Sequence, residues 1–76
     1  GNRDKMFWEA VELVLENGQA SVAMFQRKFQ MGYQRAAKLI DQMEKSKIIG
    51  PYEGTKPRQV LITRQEFNEM RMNHPE

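Results

Sequence analysis

Apolar positions along the chain fall into three stretches with helical spacing, one short stretch with strand-like spacing, and a last helical one. The first runs from about Asp4 to Asn17, where Phe7, Ala10, Val11 and Val14 share a face, Leu15 widens it, and Glu9, Glu12 and Glu16 mark the solvent side. Asp4 is placed to cap its start, and Asn17-Gly18 ends it, because glycine accepts the left-handed conformation that follows a helix. Trp8 lies off the stripe and is expected half exposed, at an enlarged core edge rather than as a platform for stacked bases. Ser21 caps a second helix, in which Val22, Phe25 and Phe29 turn inward and Arg27 and Lys28 outward. Gly32 is expected to bend the chain at positive φ before a third helix that runs from about Tyr33 to Ser46 or Lys47. In that helix Ala36, Ile40 and Met43, with Leu39, form the apolar stripe, and Gln34, Lys38, Asp41 and Lys45 form a polar row opposite it. Tyr33 is expected to anchor the turn with its ring packed inward.

After Lys47 the period changes. Ile48 to Tyr52 is β-branched and aromatic, Glu53-Gly54-Thr55-Lys56-Pro57 is a run of turn formers, and Arg58 to Ile62 reads as a second strand. Thr63-Arg64-Gln65-Glu66 then has the form of a capping box, which predicts a last helix of about eight residues with Phe67 and Met70 on its apolar side, fraying from about Met72. The order of elements predicts an α+β, mostly α, winged helix-turn-helix: a three-helix core, a two-stranded wing hairpin and a short C-terminal helix. Its expected bounds are a flexible end at 1–3, the winged helix at 4–62 with the reader helix at about 33–47 and the wing at about 48–62, and a short helix and frayed tail at 63–76.

Composition narrows what such a fold can do. Seventy-six residues allow one small core and leave no room for an enclosed catalytic cavity, so a binding module rather than an enzyme is expected. The small size and a start without Met predict a fragment of something larger. There is no cysteine, which removes disulfides and Cys-based metal sites, and His74 has no neighbouring ligands in sequence. No apolar run reaches the roughly 18 residues of a membrane span, so no membrane contact by this segment and a cytoplasmic setting are expected.

The formal net charge is only +2, but its distribution is uneven. Residues 21–62 carry eight cations, namely Arg27, Lys28, Arg35, Lys38, Lys45, Lys47, Lys56 and Arg58, against Asp41, Glu44 and Glu53. Positive charge thus gathers in the segment that holds the polar row, as attraction to a polyanion requires. Gln34, Lys38 and Asp41 are the candidate base readers. Arg27 and Lys28 on the preceding helix, Arg35 beside the row, and Lys56 and Arg58 on or near the wing are the candidate phosphate contacts, although such residues also serve as plain solvated surface.

The segments Gln26 to Phe29 (QRKF), Gly32 to Glu44 (GYQRAAKLIDQME) and Gly50 to Arg58 (GPYEGTKPR) together resemble the C-terminal gamma domain of the FtsK/SpoIIIE family of bacterial DNA translocases, over roughly Asp4 to Ile62. The resemblance implies a winged helix linked to a hexameric motor that uses ATP and Mg in another domain, with no cofactor in this one. It implies binding to short, polar, G-rich duplex sequences that orient the motor during chromosome segregation and cell division. In the FtsK branch it also implies contact with, and activation of, a XerD-type tyrosine recombinase. The parent would be anchored in the bacterial membrane through another region, and the isolated domain would be monomeric.

In the family an Asn, an Arg and an acidic residue on the third helix read bases, and by position these fall on Gln34, Lys38 and Asp41. Gln retains the bidentate geometry for adenine, whereas Lys reaches guanine without the rigid fork of Arg. The alternative reading is a winged-helix module that docks on a recombinase or another protein without reading bases.

Overall fold

The computed structural model describes residues 3–74. Helix α1 spans Phe7–Asn17 and buries Phe7, Trp8, Ala10, Val11 and Val14. It begins three residues later than the sequence reading, because Asp4 caps a turn before the helix: its Oδ1 accepts from the Met6 N–H at 2.8 Å, and its carbonyl accepts from the Phe7 N–H at 2.9 Å. At the other end Gly18 stands at φ 75 and donates its N–H to the Val14 carbonyl, as the helix stop required.

The second helix, α2 (Val22–Phe29), starts on Ser21, whose Oγ accepts from the Met24 N–H at 3.1 Å. Helix α3 (Tyr33–Lys45) buries Ala36, Leu39, Ile40 and Met43 against Phe25 and α1. The bend between α2 and α3 departs from expectation. Its left-handed residue is Gln30, at φ 54 and ψ 41, while Gly32 is an ordinary extended N-cap at φ −74 and ψ 168. The physical reason is placement: α2 needs its left-handed residue at its own C-terminus, three positions before α3 starts. The far end of α3 closes with Lys47 at φ 64, the Lys47 N–H bonded to the Glu44 carbonyl, and the Ile48 N–H bonded to the Met43 carbonyl. That closure delivers Ile48 and Ile49 into the core.

The wing is sparser than a continuous hairpin. Strand β2 (Arg58–Gln59) pairs antiparallel with β1 (Gln19–Ala20), a two-residue strand between α1 and α2. The sequence pattern does not reveal β1, since two residues carry no measurable period. The wing's first arm joins through single bridges, Ile49 to Val60 and Glu53 to Lys56, with backbone bonds from Gly50 N–H to the Gln59 carbonyl and from Leu61 N–H to the Ile48 carbonyl. Pro51, having no N–H, interrupts the arm between the two bridges. At the tip, Gly54 takes φ 69 in a two-residue loop. The architecture is thus the expected α+β winged helix-turn-helix, with its wing stitched to the α1–α2 junction.

Helix α4 (Arg64–Asn73) is ten residues long, against about eight expected, and its capping box forms in full between Thr63 and Glu66. It changes the status of Trp8, which the sequence placed at a half-exposed edge. Phe67 covers it, so the indole is buried, edge-on to Phe7 at 5.0 Å and to Phe67 at 6.0 Å between ring centroids. The guanidinium of Arg3, within the end expected to be flexible at 1–3, lies over both Phe7 and Trp8, at 4.5 and 5.2 Å from the ring centroids. Gly1, Asn2, Pro75 and Glu76, parts of the ends expected to be flexible or frayed, lie outside the described residues. No helix among the described residues is long and apolar enough to cross a membrane.

Candidate nucleic-acid interface

Helical spacing places Gln34, Lys38 and Asp41 in one exposed row on α3, on the side away from buried Ala36, Leu39, Ile40 and Met43. Lys45 extends the row. Because the apolar stripe is fixed in the core, rotation of the helix cannot turn this row away from solvent. The row therefore presents an amide, an ammonium and a carboxylate at successive turns of a rigid element.

Beside the row, Arg35 is engaged. Its Nε donates to Asp4 Oδ2 at 2.7 Å and its Nη2 to Asp4 Oδ1 at 2.8 Å, a two-point pair reaching back to the chain before α1. The Arg35 guanidinium is the main reason that the Asp4 carboxyl is held down at about 2, with the Met6 N–H and the field of Lys38 adding to it against the opposing effect of burial. Asp4 in turn raises the Arg35 pKa above its ordinary value. Lys38 is thus close enough to Asp4 for its charge to be felt there.

Between α3 and the wing lies an open cleft of about 560 Å³. Tyr33, Ala37 and Asp41 line it from α3, Ser21 and Val22 from the start of α2, and Tyr52, Thr55, Lys56 and Arg58 from the wing. The structure therefore brings Asp41, Lys56 and Arg58 to one cleft, and leaves Gln34, Arg35 and Lys38 on the helix surface outside it. Tyr33 does not pack inward as the sequence reading had it: it is 65% exposed at the mouth of the cleft. Tyr52, which the sequence reading placed in a strand without a role, is 71% exposed on the facing side. The signal for both was present, since each aromatic adjoins a Gly or Pro turn and lies off every apolar stripe.

The remaining cations differ in what surrounds them. Lys56 is exposed at the wing tip, and Arg27 is exposed on α2. Arg58 is half-buried: its guanidinium binds the Glu44 carboxylate at the end of α3 and lies 5.8 Å from the Tyr52 ring centroid. Lys28 lines a second, smaller cleft of about 220 Å³ with Glu9, Glu12 and Glu16 of α1 and Arg71 of α4. The three carboxylates there face Lys28 and Arg71, and Glu12 is also paired with Arg64 at 2.7 Å, so the charges of this cleft are close to balanced.

Comparison with known proteins follows the same outline. Residues 1–63 match the family described as the Ftsk gamma domain, so α4 lies beyond the match. DNA translocase SpoIIIE of Bacillus subtilis is 51% identical over 67 residues, 88% of this chain and 8% of that protein. DNA translocase FtsK of Halalkalibacterium halodurans is 56% identical over 63 residues, covering 83% of this chain and 8% of that protein. In Listeria monocytogenes, DNA translocase FtsK is 60% identical over 59 residues, covering 78% of this chain and again 8% of its own length. The chain thus spans a small fraction of the relatives it matches, and on the strength of the family match it belongs to the FtsK gamma domain family.

Proposed function

We propose that this chain is a sequence-directed double-stranded DNA-binding module that orients an ATP-driven chromosome translocase. The observation that carries this reading is the fixed, exposed row Gln34, Lys38 and Asp41 on a helix flanked by a wing. That α3 belongs to a domain shared with proteins named DNA translocases supports the same reading. With α3 in a major groove, the Gln34 amide pairs with adenine and the Lys38 ammonium with guanine O6 or N7. Asp41, at the rim of the cleft, accepts from a cytosine amino group or rejects a wrong base.

Arg35, Arg27 and Lys56 hold phosphates in this reading, and one DNA strand runs between α3 and the wing. Arg58 contributes mainly by fixing the wing to α3, and Lys28, exposed beside Arg27 on α2, is available to the same phosphate backbone. The domain itself carries out no chemistry and needs no cofactor, and ATP and Mg serve a motor domain elsewhere in a hexameric cytoplasmic assembly. Several copies held near one site compensate for the weak binding of a single small domain.

A second reading has its own support. Tyr52 and Leu61, both exposed on the wing, offer apolar surface to a protein partner, and a XerD-type recombinase is the partner that the family resemblance implies. Fluorescence anisotropy separates the two. Lys38→Ala should cost about 1–3 kcal/mol on a preferred G-rich polar duplex and much less on a scrambled one. Binding by the unaltered chain should weaken steeply with salt on both duplexes. An equal loss on the two duplexes removes base reading by Lys38, and no duplex binding at low salt favours protein docking instead.

A further inference from the structure

Asp4 lies outside α3 and the wing, yet it is hydrogen-bonded to the helix that carries the exposed row. Its carboxylate makes both hydrogen bonds to the Arg35 guanidinium and is itself fixed by the Met6 N–H. Of the pair, Asp4 is the covered partner and Arg35 the exposed one. We propose that Asp4 is a positioning residue for DNA binding: it holds the Arg35 guanidinium so that the edge facing solvent meets a backbone phosphate. This rests on the DNA reading above.

The chemistry of the guanidinium supports the assignment. Its five N–H groups form two edges, each able to grip an oxyanion at two points. Asp4 takes the edge formed by Nε and Nη2, which leaves the two N–H groups of Nη1 and the second of Nη2. A phosphate can therefore bind end-on without displacing the carboxylate. Arg35 is spared the loss of side-chain freedom that a loose arginine suffers when it grips a phosphate.

Against this stands the charge of Asp4, which repels a phosphate. The two edges share Nη2 and face different directions, so the phosphate stands beside the carboxylate, nearer to the guanidinium than to Asp4, and the repulsion acts over the longer distance through screened solvent. Preorganisation therefore outweighs repulsion. Lys38 acts on Asp4 only through its field and is not gripped by it, so the effect is confined to Arg35.

The two effects have opposite signs, which makes the test sharp. Asp4→Asn removes a negative charge, so simple electrostatics requires tighter DNA binding, whereas loss of positioning requires weaker binding. Anisotropy with a random-sequence duplex at two salt concentrations should show binding weakened about 3- to 10-fold, the scale of ordering one flexible side chain. On an Arg35→Ala chain only the charge effect remains, so the same substitution should not weaken binding and should tighten it slightly. Asp4→Ser keeps an acceptor for the Met6 N–H but does not reach Arg35, and should reproduce the loss, which guards against an effect of the first turn.

A readout without DNA accompanies these. The Arg35 Nε–H resonance in ¹⁵N NMR should be sharp and slow to exchange in the unaltered chain, and should lose that protection in Asp4→Asn while the backbone amide spectrum is kept. Unchanged or tighter binding by Asp4→Asn overturns the proposal, as does an equal loss on the Arg35→Ala chain. If the unaltered chain binds no duplex at all, the DNA reading falls and this inference with it; if it binds and Asp4→Asn binds equally, only this inference falls.

Discussion

Both ends of α3 are tied to distant parts of the chain by an arginine–carboxylate pair, and the two pairs are built in opposite senses. Near its start the helix supplies the arginine: the Arg35 side chain is 48% exposed and Asp4 17%. Near its end the helix supplies the carboxylate: the Arg58 side chain is 16% exposed and Glu44 44%. The chemistry of the contact is the same, but the covered partner differs. In the first pair the cation faces solvent with an edge to spare, while in the second it lies between Glu44 and the Tyr52 ring and acts as a strut. Counting basic residues near α3 therefore overstates how many cations are free to meet a phosphate in the proposed DNA reading. What decides is which member of each pair is buried.

The contrast can be broken most directly by removing each arginine. Arg58→Ala should cost about 1–3 kcal/mol of unfolding free energy in urea, since a half-buried, charge-assisted bond and a ring contact go together. It should leave the salt dependence of DNA binding nearly unchanged. Arg35→Ala should do the reverse: only a modest fall in the urea midpoint, since the pair meets solvent on the arginine side, and a log–log salt slope shallower by about 0.9, the signature of one lost phosphate contact. If both variants change the slope alike, the distinction between strut and clamp is wrong.

Acid offers a smaller test of the first pair alone. The Asp4 carboxyl is lowered from an ordinary 3.8 to about 2 in the folded chain, chiefly by the Arg35 guanidinium. A folded-state pKa below the unfolded one means that the stabilisation is complete above the unfolded value and drains away as pH falls through 3.8 towards 2. Urea titrations across that window should show stability falling with pH in the unaltered chain. The fall should be shallower in Arg35→Ala and should be unaffected by Arg58→Lys. The effect stays modest because the pair meets solvent on the arginine side.

What the sequence showed and what it hid follow from the range of each interaction. The helices were legible because a period of 3.6 repeats over several turns, and so the exposed row Gln34, Lys38 and Asp41 could be located without coordinates. The caps at Gly18, Ser21 and Thr63 were legible because each acts within three or four residues. Contacts across the chain were not. Asp4 and Arg35 are 31 residues apart, and Trp8 is covered by Phe67 from a helix whose packing direction no periodicity specifies. The strand β1 escaped because Gln19–Ala20 is too short to alternate. Tyr33 was misjudged because an aromatic at a helix start packs inward or outward according to the wing that faces it.

The smallest expected effect concerns the turn that delivers Arg35 and Gln34 to the surface, and there the two readings differ in sign. If Gly32 needed positive φ, any side chain at that position would be strained. In the structure Gly32 sits at φ −74 and ψ 168, a conformation open to every residue, and a Cβ added there meets nothing within 4 Å. Gly32 is also the N-cap of α3 and makes no side-chain capping bond. Gly32→Ser should therefore stabilise the chain by about 0.5–1 kcal/mol, through a supplied cap and a less flexible unfolded state. Gln30 is the residue that bears the left-handed strain, at φ 54. Gln30→Gly relieves a steric cost of about 1–2 kcal/mol but adds freedom to the unfolded chain, so a net gain of about 0.5 kcal/mol is expected. Urea midpoints that rise for both variants support the turn as described. A Gly32→Ser chain that loses stability while Gln30→Gly is neutral would return the left-handed residue to Gly32, shifting the entry of α3 and with it the direction in which Arg35 leaves the helix towards Asp4.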